Sequence, residues 1–351
     1  MARKDQKDVV FYLVIGLLLS LGLVIYGYIF ESRDKQDDNF LTAKNVQVFV
    51  QPDDSRSPIL EEIENAKSSI ILQVYTMSDS EIIQSLIDAR KRGINVRVML
   101  EENPFSGYSA NKEVKDELSR NNIDTKWSNR VYEFTHSKFF VIDNKKGIIM
   151  TMNLSQSSFT KNREFGVITE DPIIVTELSK IFQADWERKP YKPGTSPLVV
   201  SPENSRVKLL QLINSAKQEI ILYAQEMEDK EIRDALIKAR NNSVKVYIIF
   251  ADPESIEGNQ DAFDTLKSHN IETRILLSPY VHAKAIVVDK KVGYIGSINF
   301  SENSLDKNRE VGILISDEKA LSLVRSVFFE DFEIAYLGFK PNFVILANAI
   351  P

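Results

Sequence analysis

The chain of 351 residues has no cysteine, three histidines and two tryptophans. Without cysteine there is no disulfide framework, no thiolate nucleophile and no cysteine-based zinc or iron–sulfur site. Three histidines without cysteine also make a poor cation site, so no metal is expected. Positive charge is in deficit, the net value being −6 at pH 7. Nonspecific nucleic-acid binders are usually basic. The balance therefore weighs against polyanion binding as the main task and leaves only a local basic cleft open to it. Long uncharged runs are scarce as well. The longest is Val9 to Phe30, 22 residues without a charge, the length of a bilayer-spanning helix. It is too long for a signal-peptide core and is followed by Glu31-Ser32-Arg33-Asp34 rather than a small-residue cleavage site. Residues 1–8 are then an N-terminal tail, 9–30 an uncleaved transmembrane anchor and 31–44 a polar tether. Arg3, Lys4 and Lys7 before the run outnumber Arg33 and Lys35 after it. That bias places the N-terminus in the cytoplasm and the body outside it, as a single-pass membrane protein.

What the chain does have is repetition. Residues 68–100, "SSIILQVYTMSDSEIIQSLIDARKRGINVRVML", correspond to residues 218–250, "QEIILYAQEMEDKEIRDALIKARNNSVKVYIIF", at an offset of 150. Further on, "HSKFFVID" (136–143) corresponds to "HAKAIVVD" (282–289) at an offset of 146. The shift of four residues falls between the conserved blocks, as insertions in loops do. An internal duplication follows, with one repeat over 45–190, a second over 198–336 and a C-terminal tail over 337–351. Within each repeat, short apolar runs alternate with helical spacing such as Ile82, Ile83, Leu86 and Ile87, capped by Asp79 or Ser80 and stopped by Gly93. The expected fold class is α/β, with a parallel or mixed sheet covered by helices.

Two of the three histidines sit in the repeated octapeptide. If the octapeptide is a strand, His136 and Lys138 share one face, as do His282 and Lys284. A short turn and a second strand then bring Thr151 and Asn153, or Ser297 and Asn299, beside them. "NRE" ends each unit at Glu164 and Glu310, again 146 apart. Two halves about a pseudo-twofold axis would offer two imidazoles and two ammonium groups to one phosphodiester. One imidazole can attack phosphorus while the other protonates the leaving alkoxide. His269, outside both motifs, reads as a solvated residue at a helix end. Phe105 and Tyr108, in "ENPFSGYSA", either contact lipid at a cleft mouth or pack on the sheet.

His-x-Lys-x4-Asp, followed by a small hydroxyl residue, Asn and Glu, resembles the phospholipase D superfamily. The match occurs twice and covers residues 45 to 336. The first copy departs from the family's Gly-Ser, having Met150-Thr151 where the second has Gly296-Ser297; Met150 is expected to tighten that side of the pocket. The resemblance implies an internally duplicated α/β sandwich of two sheets flanked by helices, here preceded by one transmembrane helix. It implies two-step chemistry through a phosphohistidine without metal or cofactor. His136 would be the nucleophile and His282 the acid and base. Lys138, Lys284, Asn153, Asn299, Thr151 and Ser297 would bind the phosphate, and Glu164 and Glu310 would orient the imidazoles. Asp143 and Asp289 belong to the motif but are expected to be structural. The expected substrate is a membrane phospholipid, hydrolysed or transferred to an alcohol. The alternatives are a tethered nuclease acting on DNA or RNA, with identical chemistry, and a non-catalytic membrane scaffold.

Overall fold

Ile70, Ile71 and Leu72 are buried because strand β2 (Ser69–Val74) lies between two neighbours and under helices. It pairs in parallel with β3 (Asn95–Leu100) and antiparallel with β5 (Phe139–Ile142). The described residues of this computed structural model are 40–105, 110–256 and 258–336. The apolar run at 9–30, most of the tether, Tyr108 and the tail at 337–351 lie outside them. Among the described residues no helix is long and apolar enough to cross a membrane.

The first repeat adds β1 (Gln47–Gln51), β4 (Asp124–Trp127), β6 (Lys146–Met150) and β7 (Asn162–Thr169), in the sheet order β1-β7-β6-β5-β2-β3-β4. The second repeat contains β8 (Leu198–Ser201), β9 (Glu219–Ala224), β10 (Lys245–Phe250), β11 (Glu272–Ile275), β12 (Tyr280–Val281), β13 (Lys284–Val288), β14 (Val292–Gly296) and β15 (Glu310–Ile315). Its sheet runs β11-β10-β9-β13-β14-β15-β8. Apart from β12, this is the first sheet's connectivity repeated. The helix Ser80–Lys91 has its counterpart in Lys230–Asn241. Asp79 caps the former by accepting from the Ile82 N–H, and Gly93 ends it at a φ of +91° that a side chain would strain.

The two sheets share one apolar core drawn from both repeats, including Phe165, Phe182, Tyr223 and Phe328. The Phe165 and Tyr223 rings, one from each half, lie 5.5 Å apart. The chain also crosses between halves in its backbone. β12 leaves its own sheet to pair in parallel with β7 of the first repeat, with Val281 opposite Arg163. Its counterpart is a bridge between Thr135 and Arg309. These exchanged edges position the site.

Candidate active site

His136 and His282 do not stand within the strands that the octapeptides suggest. β5 begins at Phe139 and β13 at Lys284. Each histidine lies on the short segment that crosses to the other half: the His136 N–H donates to the Arg309 carbonyl at 2.9 Å, and the His282 N–H to the Arg163 carbonyl at 3.3 Å. Because Arg309 and Arg163 immediately precede the two glutamates, each imidazole meets the carboxylate of the opposite repeat. His136 Nδ1 lies 2.9 Å from Glu310 Oε2, and His282 Nδ1 lies 2.7 Å from Glu164 Oε1. Neither half holds a complete histidine–carboxylate pair of its own.

Both glutamates are fully buried. Burial alone would raise the Glu310 carboxyl, but His136, Lys138 and Ser304 outweigh it and hold it below its ordinary range. For Glu164, His282, Lys284 and Thr151 likewise overcome the effect of burial. Burial pushes His136 down to about 4 against the pull of Glu310, and the nearby Lys138 and Lys284 add to the fall. His282 moves the same way for the same leading reason. At neutral pH the carboxylates are therefore ionised and the rings neutral. An ionised carboxylate has no proton to give, so each Nδ1 carries the ring's proton and each Nε2 presents a bare lone pair.

Lys138 and Lys284 are also fully buried. Each Nζ donates to the carbonyl of its own histidine, Lys284 at 2.5 Å to His282, and Lys284 Nζ also lies 3.2 Å from His282 Nδ1. Burial lowers both ammonium groups, Lys284 to about 8. Each imidazole feels both ammonium groups, so the four side chains form one electrostatic cluster. The Tyr75 ring stands edge-on to His136 at 4.6 Å.

The remaining predicted residues divide. Asn153 and Asn299 each carry a buried amide oxygen without a hydrogen-bond partner. Unsatisfied buried polar atoms are rare in native structures and call for an explanation, such as a ligand group. Thr151 and Ser297, expected at the phosphate, are engaged by the protein itself in this structure. The Thr151 hydroxyl donates to Glu164 Oε2 at 2.6 Å and accepts from the Phe165 N–H at 2.9 Å. The Ser297 hydroxyl donates to the Val311 carbonyl at 3.3 Å and accepts from the Val311 N–H at 3.1 Å. To donate to a phosphate oxygen, the single proton of each hydroxyl would have to turn away from Glu164 or from the Val311 carbonyl. β6 and β14 end at Met150 and Gly296, before either residue, so strand alternation does not reach them. Met150, expected to tighten the pocket, is buried in the first repeat's own core.

Asp143 and Asp289 lie at the far ends of β5 and β13 from the lysines, strands of four and five residues that span about 13–17 Å. Asp143 accepts from the backbone N–H groups of Lys67, Ser68 and Ser69, and Asp289 from those of Lys217, Gln218 and Glu219. Both pin the start of a neighbouring strand. His269 ends the helix Asn259–Ser268, exposed, with Nδ1 2.9 Å from the Thr265 carbonyl.

Three features escaped the sequence reading. Arg309 pairs with Asp185 at 3.1 Å, and Arg163 with Asp331 at 2.7 Å, again across the halves. The signal was present, since Asp185 and Asp331 also stand 146 apart. Gln73 donates to both Asp185 and Ser137 at 2.9 Å, joining this ion pair to the residue beside His136. Glu226 breaks the symmetry, because Thr76 occupies its place in the first repeat. Burial and the neighbouring Glu228 and Glu310 push its carboxyl up to about 7.

Comparison with known proteins agrees with this duplicated architecture. The family model described as "Cardiolipin synthase, PLD-like domain" matches twice, over residues 59–186 and 209–332. The chain is 24% identical over 314 residues to the minor cardiolipin synthase ClsB of Bacillus subtilis, covering 78% of this chain and 77% of that one. It is 29% identical over 203 residues to a phospholipase D of Rickettsia conorii, covering 53% of this chain and 96% of that one. Among solved structures, the phosphatidylserine synthase of Haemophilus influenzae superposes with a TM-score of 0.67 at 13% identity, over 87% of this chain and 90% of that one, a likeness of fold. Carrying the family's domain twice over most of its length, the chain belongs to the phospholipase D-like family.

Proposed function

We propose that the protein is a phosphodiesterase of the phospholipase D type, which cleaves or transfers the phosphodiester of a membrane phospholipid through a covalent phosphohistidine. The observation that carries this reading is the crossed pair of histidine–glutamate contacts, which leaves two bare Nε2 atoms beside two buried ammonium groups. With the lysines charged, the glutamates ionised and the rings neutral, the cluster's charges cancel. A phosphodiester anion adds one negative charge, and one proton taken up by a ring balances it. That proton makes the second imidazole an acid.

In the first step His136 Nε2 attacks phosphorus, and protonated His282 gives its proton to the departing alkoxide. In the second, neutral His282 takes the proton of an incoming water or alcohol, whose oxygen displaces His136 from phosphorus. Lys138 and Lys284 balance the charge on the non-bridging oxygens, and the Asn153 and Asn299 amides, turned about, donate to them. The glutamates hold each ring's tautomer and stabilise its cationic form. Water as acceptor gives phosphatidate, and an alcohol gives a new phospholipid. The apolar run at Val9–Phe30 supports a tether to the bilayer, with the body on the extracytoplasmic side.

The test is to offer the full chain, in EDTA, phospholipid vesicles and single-stranded DNA side by side. Acid-labile label should appear on the protein with the lipid and vanish in His136→Asn. Turnover of DNA alone would replace the lipid reading with the nuclease one. A requirement for added metal would overturn the mechanism.

A further inference from the structure

The two most exposed large apolar side chains among the described residues are Phe105, at 90% exposure, and Val131, at 74%. Single apolar side chains on a surface are ordinary. These two occupy different loops, after β3 and after β4, and the loops are tied together. Arg130 reaches Glu102 at 2.6 Å, and the buried Glu101 accepts from the N–H groups of Asn103, at 3.0 Å, and Thr135, at 2.7 Å. Both tips are also tied to the catalytic cluster. The Phe105 N–H donates to the Tyr75 hydroxyl at 2.5 Å, and the Tyr75 ring abuts His136. Tyr132, next to Val131, stacks its ring under the Arg309 guanidinium at 4.3 Å, and Arg309 adjoins Glu310. On the second repeat the corresponding loops offer Ile256 and Tyr280, both partly buried against the inter-sheet core. The exposed apolar tips therefore stand on one rim only, beside His136, with the exposed guanidinium of Arg130 adjacent.

We infer that this rim is the edge by which the protein seats on a bilayer, Phe105 and Val131 entering the interfacial layer of a phospholipid membrane while Arg130 meets lipid phosphates. Docked this way, the first repeat's loops lie at headgroup depth, and a lipid's phosphodiester reaches His136 without leaving the membrane. The inference rests on the phospholipid reading above. Moving one such side chain out of water is worth about a tenfold change in partition or more.

The chain has no cysteine, so a single introduced one labels cleanly. Phe105→Cys, Val131→Cys and, as a control, Val207→Cys on the helix Ser205–Ser215 would each carry a fluorophore in the full chain, reconstituted into vesicles of brominated phosphatidylcholine and phosphatidylglycerol. Quenching at 105 and 131 should exceed that at 207 several-fold, and equal quenching would overturn the inference. In parallel, the double variant Phe105→Ser/Val131→Ser should lose about tenfold or more of its turnover of vesicle phosphatidylglycerol while keeping its turnover of water-soluble bis(4-nitrophenyl) phosphate. Equal loss on both substrates would show that the tips merely support the fold around His136, and the inference would fail. A wild-type protein that cleaves the soluble diester but no phospholipid would sink the lipid reading, and the docking edge with it.

Discussion

Arg309 Nε lies 3.1 Å from Asp185 Oδ2, with both side chains excluded from water and each contributed by a different repeat. Arg163 and Asp331 repeat the arrangement at 2.7 Å. Each arginine is the residue before the glutamate that grips the opposite imidazole. Asp185 also accepts from Gln73, which bonds the residue after His136. On the other side Asp331 accepts from the Tyr223 hydroxyl at 2.6 Å. The pairs thus fix the relative height of the two exchanged segments, and with it the histidine–glutamate distance.

Removing one partner should be worse than removing both. Asp185→Asn removes the fully buried one of Arg309's two carboxylates, leaving Glu203 at 2.6 Å, and should cost about 1–3 kcal/mol in chemical denaturation. Arg309→Met/Asp185→Leu replaces the pair with apolar volume, and because Glu203 is partly exposed it can be resolvated, so the double variant should recover part of that loss. Its turnover of a soluble diester should nonetheless stay down by about a hundredfold, the scale of a 1 Å misplacement near reacting atoms. A double variant with full turnover would show that the ion pair serves folding alone.

The crossing of the glutamates makes their variants unequal. Glu310 holds His136, the assigned nucleophile, so Glu310→Gln should slow formation of the covalent intermediate. Glu164 holds His282, the proposed acid and base, so Glu164→Gln should slow above all the breakdown of the proposed intermediate. In rapid-quench experiments, labelled enzyme should accumulate in Glu164→Gln and stay scarce in Glu310→Gln. Losses of about 100- to 10,000-fold in kcat are the expected scale for either. The reverse pattern would exchange the roles of the two histidines.

The duplication, the α/β class and the clustering of two histidines with two lysines were legible because a fixed 146-residue offset keeps chemically matched side chains in register. The offset could not say which glutamate meets which histidine. Pairing within a repeat and pairing between repeats look identical in sequence, and only the exchange of β12 and of Thr135 decides between them. Strand alternation does not by itself place Thr151 and Ser297, because it holds only while the ladder continues and both strands stop one residue earlier. Asp143, expected to be structural, stands in a turn at a φ of +55°. Arg309 and Asp185 were missed although the same offset marks them, because an arginine beside a glutamate reads as surface charge until its burial is seen.

The motif aspartates should separate stability from chemistry. Asp143→Ala leaves the N–H groups of Lys67, Ser68 and Ser69 without their acceptor at the entry to β2. A loss of about 1–3 kcal/mol is expected, measurable as a lower denaturant midpoint. The activity of the folded fraction should change little, because the carboxylate lies a strand's length from Lys138. A variant of normal stability but without turnover would place Asp143 in the catalytic apparatus.

The pH dependence follows from the signs of the shifts. The nucleophile must be neutral, and burial holds His136 near 4, so kcat/KM for the free enzyme should rise as pH climbs through that region. The first step needs a proton on His282 and charge on both lysines, and burial lowers all three groups, so the same parameter should fall as pH rises, Lys284 adding its own loss past about 8. These limbs report the coupled cluster rather than isolated groups. Glu226 supplies a way to move one of them. Its negative charge, present above about 7, favours the protonated form of Lys284. In Glu226→Gln that support is gone, so Lys284 gives up its proton more readily and the alkaline limb should move to lower pH. The acidic limb should move less, because burial, Glu310 and the two lysines are the leading influences on His136. A profile unchanged on both sides would mean that the alkaline limb belongs to a group other than Lys284.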